Sequence, residues 1–206
     1  MRWLPVLLWT LALPLGAQDR AGEFDYYVLS LSWSPSWCEE TGDARGSEQC
    51  ERSLGFVLHG LWPQYEQGWP DYCRTGHADP SRRQTAAMAD IMGTGGAAWH
   101  QWQKHGRCSG LSADSYFALS RLAYESVERP AILRQVREPL RVDPSVIEAA
   151  FLEANENLEP DGVTVTCKAG RIQEVRICLT QELDPRLCGA DVIRDCTRTA
   201  TLPPVR

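Results

Sequence analysis

Two short segments of this sequence carry most of its candidate catalytic residues. The segment WHQWQKHGRC, residues 99–108, contains two of the four histidines and a lysine. The segment GFVLHGLWPQ, residues 55–64, places His59 after an apolar run. Imidazoles titrate near neutral pH and are the side chains most often used for general acid and base catalysis. The two segments therefore predict proton transfer next to a cationic group.

The histidines also have non-catalytic interpretations. His77 lies in a polar loop, where a lone histidine is more often a structural or surface residue. His59 differs, because a titratable group that ends an apolar strand is costly to bury without a role. Zinc-binding helices place two histidines four residues apart around a carboxylate. His100 and His105 are five apart, and their rings diverge by about 140° at ~3.6 residues per turn, so we expect no metal ion.

A short helix is predicted to carry the second segment. Residues 97–105 contain no glycine or proline and lie between two glycines, which favours a helix with those limits. In such a helix, residues four apart lie on the same face. His100 with Lys104 and Gln101 with His105 then form two adjacent rows of one face. The prediction is a polar, cationic face.

Strands are predicted around these segments. Residues 24–34 are rich in aromatic and β-branched side chains. Residues 53–59 form a second apolar run, which Gly60 and Pro63 should stop. Further along the chain, residues 163–166 and 172–179 have the pattern of a hairpin around Lys168-Ala169-Gly170.

Two further helices are predicted, one capped by Ser112 and one opened by Asp143-Pro144. Their apolar stripes, expected in the core, are Tyr116, Phe117, Leu119, Leu122 and Ala123 in the first helix and Val146, Ile147, Ala150, Phe151 and Ala154 in the second. Residues 62–83 and 184–206 are predicted to be irregular. Together, these strands and helices predict an α+β fold.

The bulk properties indicate one exported globular domain. A chain of 206 residues with 43% hydrophobic and 23% charged residues is long enough for one core. Residues 1–17 have the basic start, apolar centre and small-residue end of a signal peptide. The alternative, a membrane anchor, needs roughly 20 apolar residues, and this run is shorter and contains two prolines. We expect a single domain over residues 18–206 that is secreted or periplasmic.

The eight cysteines and the net charge limit the function. An even number of cysteines in an exported chain indicates disulfides, and no pair has the close C-x-x-C spacing of a zinc site. A net charge of -6 gives no global positive field for a polyanion. It excludes the uniform basic surface of a tight nucleic-acid binder and leaves room for an enzyme with a local cationic cleft.

Both segments together resemble the two signature sequences of the ribonuclease T2 family. The resemblance extends to the WPDYC stretch at residues 69–73 and to the EVRICL stretch at residues 174–179, and so covers nearly the whole chain after the signal peptide. It implies an antiparallel β-sheet with packed helices, stabilised by four disulfides. The pairs it implies are Cys38-Cys50, Cys73-Cys108, Cys167-Cys196 and Cys178-Cys188.

The resemblance also implies cleavage of RNA without a metal ion or cofactor. The ribose 2′-hydroxyl would attack phosphorus and leave a 2′,3′-cyclic phosphate, which water opens to a 3′-phosphate. His105 would be the base and His59 the acid. Lys104 would stabilise the developing charge and His100 would hold the phosphate.

Gln101 departs from the family pattern, which usually has glutamate there. An amide can donate to a phosphoryl oxygen but cannot hold a proton or supply a negative charge. We therefore expect an active enzyme with a slower rate and a shifted pH optimum. Four side chains are expected to bind substrate: Trp62, which matches the base-stacking tryptophan of the family, Gln64, Tyr65 and Trp69.

Two other functions stay open at this point. The first is a catalytically silent, secreted RNA-binding member of the same fold, with Gln101 as the sign of lost activity. The second is a disulfide-rich toxin or inhibitor that binds a protein through the aromatic loop, residues 65–72. The intact His59, Lys104 and His105 favour the enzyme. We expect a monomer that acts on RNA and does not bind a membrane after signal cleavage.

Overall fold

The computed structural model describes residues 19–206. The predicted signal peptide, residues 1–17, lies outside this range. None of the helices in the described range is both long and apolar enough to cross a lipid bilayer.

A β-sheet forms the centre of the fold. Its strands within residues 19–206 are β1 (Tyr26–Trp33), β2 (Phe56–Gln64), β3 (Leu140–Val142), β4 (Val163–Lys168), β5 (Arg171–Leu179) and β6 (Ala200–Leu202). The strand order is β2-β1-β5-β6-β3, and β4 pairs with β5. All pairings are antiparallel except that of β5 with β6. The prediction of an antiparallel sheet in an α+β fold is confirmed.

Helices pack around this sheet. The α-helices of the described range are α1 (Ser34–Trp37), α2 (Arg82–Ala86), α3 (Ala89–Met92), α4 (Gly95–Lys104), α5 (Ala113–Ser126) and α6 (Pro144–Ala154). Shorter helical turns occur at Cys38–Gly42, Asp43–Arg45, Glu48–Glu51, Gly106–Ser109, Ala131–Gln135 and Pro160–Gly162. The short helices α2 and α3 were not predicted.

Alternation along β1 divides the core between the two faces of the sheet. Leu29 and Leu31 belong to the large cluster that includes Trp102 of α4 and Phe151 of α6. Val28 belongs to a smaller cluster on the other face. Burial of each such side chain contributes about 1.5–3 kcal/mol. The large cluster therefore fixes the helices against one face, and part of the other face is left to form a site.

Strand β2 differs from the prediction that Gly60 and Pro63 end it. It continues to Gln64. Pro63 is tolerated because β2 is an edge strand that, among the described residues, pairs with β1 alone. Gly60 is tolerated because the register with β1 shifts by one residue here, a β-bulge in which His59 is the extra residue.

The helices predicted at Ser112 and Asp143 are confirmed. Each of these side chains accepts a hydrogen bond from a backbone N–H of the first turn. Four residues of the predicted apolar stripes are not in the core: Ala150 and Ala154 are partly buried and lie outside the core cluster, and two others are exposed. Leu122 is 57% exposed and Val146 is 55% exposed, because each lies at the margin of its stripe, where the helix turns toward solvent.

The predicted hairpin is formed by β4 and β5. Its turn places Ala169 at φ 49° and Gly170 at φ 74°, the left-handed conformation that two-residue hairpin loops require. The C-terminal residues 184–206 are not wholly irregular, since they contain β6. Irregular structure was predicted for residues 62–83. The chain is irregular over residues 65–81, between the end of β2 and the start of α2.

The eight cysteines all lie in the described part of the chain and form four disulfides, as predicted. The pairs are those that the family resemblance implies: Cys38-Cys50, Cys73-Cys108, Cys167-Cys196 and Cys178-Cys188.

Candidate active site

Helix α4 and the residue after it position the second predicted segment. The helix begins at Gly95, two residues earlier than predicted, because the Thr94 side chain caps it. It ends at Lys104, so His105 follows the helix instead of closing it. The backbone N–H of His105 still donates to the carbonyl of Gln101 at 2.9 Å. The two side chains therefore stay neighbours, as the spacing of four residues predicts.

The predicted polar face of α4 has a buried half and an open half. Gln101 is 2% exposed and His105 is 5% exposed. His100 is exposed and Lys104 is half-buried. The helix thus presents a cation at the surface and a desolvated imidazole beneath it.

The bulge in β2 directs two aromatic rings to the same face of the sheet. In a regular strand His59 and Trp62, three residues apart, would point to opposite faces. The extra residue at the bulge changes the alternation, and both side chains lie on the face opposite the large core. His59 is therefore in mid-strand, and the prediction that it ends the strand is wrong.

Trp62 joins the two segments. Its ring stacks on His105 with centroids 5.1 Å apart and meets His59 edge-on at 5.2 Å. Its indole N–H donates to Gln101 Oε1 at 2.8 Å. Because the amide oxygen is taken, the amide N–H group of Gln101 is the part that can serve a ligand.

Burial controls the charge of His105. Desolvation, assisted by the positive charges of Lys104, His59 and His100, lowers the pKa of His105 to about 3. Its Nδ1 is buried and has no hydrogen-bond partner among residues 19–206. At neutral pH the ring is therefore neutral. The pKa of His100 is also lowered, first by desolvation of the ring and then by the positive charge of Lys104.

Two charged residues of β5, which the motifs did not single out, complete the site. Glu174 is 4% exposed, and its Oε1 accepts from His59 Nδ1 at 2.5 Å. Its Oε2 accepts from Arg176 Nε at 3.0 Å and Nη2 at 2.8 Å. Burial would raise the pKa of Glu174, but the hydrogen bond and charge of His59, with Arg176, lower it to about 2.

One feature of the sequence could have identified these residues. Glu174 and Arg176 alternate with the fully buried aliphatic residues Val175 and Ile177 in a central strand. Charges rarely occupy a central strand without partners. Which side chain they meet depends on the sheet register, so the sequence alone did not connect them to His59.

Two neighbouring cavities meet at these residues. One has a volume of about 340 Å³ and is lined by Lys104, His105 and Arg176, among others. The other has a volume of about 680 Å³ and extends past Thr94 toward Lys168. Four residues line both cavities: His59, His100, Gln101 and Glu174. The arrangement can hold an anion between two imidazoles, with space on either side for a larger ligand.

The residues predicted to bind substrate are placed differently from one another. Gln64 and Trp69 line the smaller cavity with Trp62. Gln64 is buried and its amide donates to the Pro63 carbonyl at 2.9 Å, whereas Trp69 is 48% exposed. In the described part of the chain Tyr65 lines neither cavity, and its hydroxyl donates to Asp19 at 3.2 Å.

Two other groups of polar residues lie outside this site. One cluster of metal-ligand type occurs among residues 19–206, formed by Cys38, Asp43 and Cys50, and its two cysteines are joined in a disulfide. His77 lies in a separate cavity, where its Nε2 is 3.1 Å from the Gly110 carbonyl oxygen.

Solved structures of a ribonuclease and of an RNase-related protein share this fold. An RNase-related protein from Calystegia sepium superposes with a TM-score of 0.69 at 23% identity, covering 89% of this chain and 99% of that one. RNase NT, solved in complex with 5′-AMP, superposes with a TM-score of 0.62 at 21% identity, covering 88% of this chain and 99% of that one.

The sequence is similar to those of known ribonucleases. A ribonuclease of Aeromonas hydrophila is 41% identical over 138 residues, which cover 65% of this chain and 62% of that protein. The chain therefore spans about three fifths of this relative. The model of the Ribonuclease T2 family matches residues 24–188. Since the match includes most of the 206 residues, the chain belongs to the ribonuclease T2 family.

Proposed function

We propose that this protein is an endoribonuclease that cleaves single-stranded RNA by metal-independent transphosphorylation. The 2′-oxygen attacks phosphorus, the 5′-oxygen leaves, and water then opens the 2′,3′-cyclic phosphate to a 3′-phosphate. One observation carries the proposal: two histidines with opposite electrostatic surroundings line one cleft. The similarity to the Aeromonas hydrophila ribonuclease supports it.

The different surroundings of the two rings support different proton-transfer roles for them. His105 is desolvated and neutral, as a base that accepts the 2′-hydroxyl proton must be. A phosphate bound beside it adds a negative charge, which raises the pKa of His105 toward the range where a base is effective. His59 contacts the carboxylate of Glu174, which can hold the ring in place as the acid that protonates the 5′-oxygen.

The remaining polar groups of α4 stabilise the transition state. Lys104 supplies a positive charge at the mouth of the cleft, where the phosphorane is most negative. The amide N–H of Gln101 donates to a phosphoryl oxygen, and His100 holds the phosphate from the exposed side of the helix. Donors fixed before the substrate binds need little reorganisation during the reaction.

Base recognition falls to the smaller cavity. Trp69 offers the most open aromatic face there, and stacking of a base on such a ring contributes about 1–3 kcal/mol. Trp62 stacks on His105. It therefore supports the ring of His105 in addition to stacking on a nucleobase. RNase NT, which shares this fold, has been solved in complex with 5′-AMP. Roles for Gln64 and Tyr65 in base binding stay predictions.

A cleavage assay in EDTA tests the function. The purified protein should convert homopolymeric RNA to fragments with 2′,3′-cyclic ends, because no metal ion takes part. His59→Ala and His105→Ala should each reduce the rate by about 10²–10⁴-fold, and His77→Ala, outside the cleft, should not. RNA that is bound but uncut would favour the silent member of the fold, and RNA neither bound nor cut would favour the toxin or inhibitor.

The site of action is part of the same proposal. Four disulfides are typical of proteins that fold in an oxidising compartment, which supports a secreted or periplasmic enzyme. We propose that it acts on RNA as a monomer. Cell fractionation and the molecular mass in solution test these points.

A further inference from the structure

The carboxylate of Glu174 is held on a rigid part of the sheet. Its strand, β5, pairs with β1 on one side and β4 on the other, with Glu174 opposite Ser32 and Thr166. Val175, the next residue, points into the large core and is fully buried. The backbone that carries Glu174 is therefore fixed by two ladders of hydrogen bonds, and the carboxylate can position another side chain.

Both oxygens of this carboxylate are occupied, each by a different partner. Oε1 accepts from His59 Nδ1, and Oε2 accepts two hydrogen bonds from the guanidinium of Arg176. The same guanidinium lies over the ring of Trp62 at 5.3 Å. Arg176 thus fixes the orientation of the carboxylate plane and itself lies over the ring that stacks on His105.

The contact at Nδ1 decides which nitrogen of His59 can react. An ionised carboxylate only accepts hydrogen bonds, so Nδ1 must carry a hydrogen. The neutral ring is then the Nδ1–H tautomer, and Nε2 is the nitrogen whose proton can be given and regained. Without the carboxylate the two neutral tautomers would compete and the ring could rotate.

We propose that Glu174, held by Arg176, is the positioning residue that fixes the tautomer and orientation of His59. This inference rests on the proposed function. In the cleavage step the Nε2–H bond of His59 breaks as the O5′–H bond forms, while the P–O5′ bond breaks and the 2′-oxygen bonds to phosphorus. The 2′-hydroxyl proton passes to His105. His59 keeps Nδ1–H on Glu174 throughout, and its free Nε2 takes a proton from the water that opens the cyclic phosphate.

The carboxylate of Glu174 lies beside His59 and not on α4. Gln101 cannot provide a carboxylate on α4, the place where the family usually has one. Glu174 supplies a negative charge from β5 instead, beside the acid and not beside the base. The carboxylate of this site therefore supports departure of the leaving group rather than activation of the 2′-hydroxyl.

Two substrates with different leaving groups separate a positioning role from a structural one. Uridylyl-3′,5′-adenosine needs a proton on its leaving oxygen, whereas uridine 3′-(4-nitrophenyl phosphate) has a leaving group that departs without one. In Glu174→Gln, kcat for the first substrate should fall about 10²–10⁴-fold with KM changed less than about threefold. The aryl substrate should lose less than about tenfold. Equal losses on both substrates would refute the positioning role.

A spectroscopic readout tests the tautomer directly. The ¹⁵N shifts of the His59 ring, assigned with His59→Gln, should show a protonated Nδ1 in the neutral wild-type ring and a mixture of tautomers in Glu174→Gln. An unchanged tautomer would overturn the inference whether or not RNA is cleaved. Wild-type protein that cleaves neither substrate would instead refute the proposed function.

Matched variants control for charge and folding. Glu182→Gln removes the same charge from an exposed residue and should change neither substrate's kcat nor the tautomer. Glu174→Asp keeps the charge but withdraws it by one methylene, so it should show the same preference for the aryl substrate with a smaller loss. If Glu174→Gln does not fold, the two substrates and the ring shifts measured on Glu174→Asp decide the question.

Discussion

His59 and His105 contact the same tryptophan but have opposite surroundings. The ring of His59 is half open to the cleft and faces a carboxylate. The ring of His105 is buried beside three potentially positive groups. Two imidazoles in different environments can take different proton-transfer roles. At the scale of single residues, the site is built from this difference.

Gln101→Glu tests what the departure from the family pattern changes. The carboxylate can keep the hydrogen bond from Trp62, but it adds a negative charge beside His105 and raises the pKa of that ring. In a plot of kcat/KM against pH, the limb that rises with pH reports deprotonation of the proposed base, His105. This limb should therefore move to higher pH by about one unit. The maximal rate should be at least that of the wild type.

A pH–rate profile with an RNA dinucleotide measures this shift. Gln103→Glu adds the same charge two positions along α4 at a residue that lines neither cavity, and should leave the profile unchanged. A Gln101→Glu profile that coincides with the wild type would show that the identity of this residue is immaterial.

At the scale of elements, the site depends on the contact between α4 and β2. Trp102 fixes α4 by packing into the core and donating its indole N–H to Asp79 at 2.8 Å. The bulge in β2 then brings Gly60 against the pair formed by Trp62 and Gln101. The close approach leaves no space for a side chain at this point of the strand.

Gly60→Ala should disrupt this contact. The added methyl group would overlap the indole nitrogen of Trp62 and the amide oxygen of Gln101, so their hydrogen bond must break or the strand must move. Overpacking of this kind costs about 1–3 kcal/mol, measurable by urea denaturation. We expect kcat/KM to fall at least about tenfold as well, because a shift of ~1 Å in a catalytic group can cost 10²-fold.

Gly76→Ala is the control for this variant, since no atom lies within 4 Å of the position its methyl group would take. It should retain both stability and activity. A Gly60→Ala protein with wild-type activity would mean that the Trp62–Gln101 contact does not shape the site.

At the scale of the whole molecule, disulfides connect the irregular segments to the sheet and to α4. Cys73-Cys108 joins the segment after Trp69 to the residues just beyond His105. The backbone N–H of Tyr72 also donates to the Lys104 carbonyl at 2.9 Å. One wall of the smaller cavity is therefore tied to the end of α4.

Removal of this disulfide should affect both stability and activity. Its cysteines are 35 residues apart, so in the chain-entropy account Cys73→Ser with Cys108→Ser lowers the free energy of unfolding by about 3.8 kcal/mol. Activity measured well below the melting temperature should also fall, because the wall that carries Trp69 is released.

Cys167→Ser with Cys196→Ser provides a matched comparison. These cysteines are 29 residues apart, so the expected loss of stability is similar, about 3.6 kcal/mol. Neither of them lines the cleft, and activity of the folded protein should be retained. Equal losses of activity in the two double variants would contradict a specific role for Cys73-Cys108.

Local features of the sequence determined much of this structure. Aromatic and β-branched residues predicted β1, β-rich segments on either side of a turn predicted the β4–β5 hairpin, and capping residues predicted the start of α5 and α6. The two histidine segments identified His59 and His105 as candidates. These features act over a few residues, through backbone propensity and burial, and therefore can be read along the chain.

The tertiary structure decided how the site is connected. Glu174 meets His59 across 115 residues of chain, and the meeting depends on the register of β5 against β1. A single extra residue at the bulge decides that His59 and Trp62 share a face, and the packing of α4 decides that His105 is desolvated. Register and burial are set by the whole sheet and its core, so the sequence identified two candidate histidines, and only the fold gave each the surroundings on which its proposed role depends.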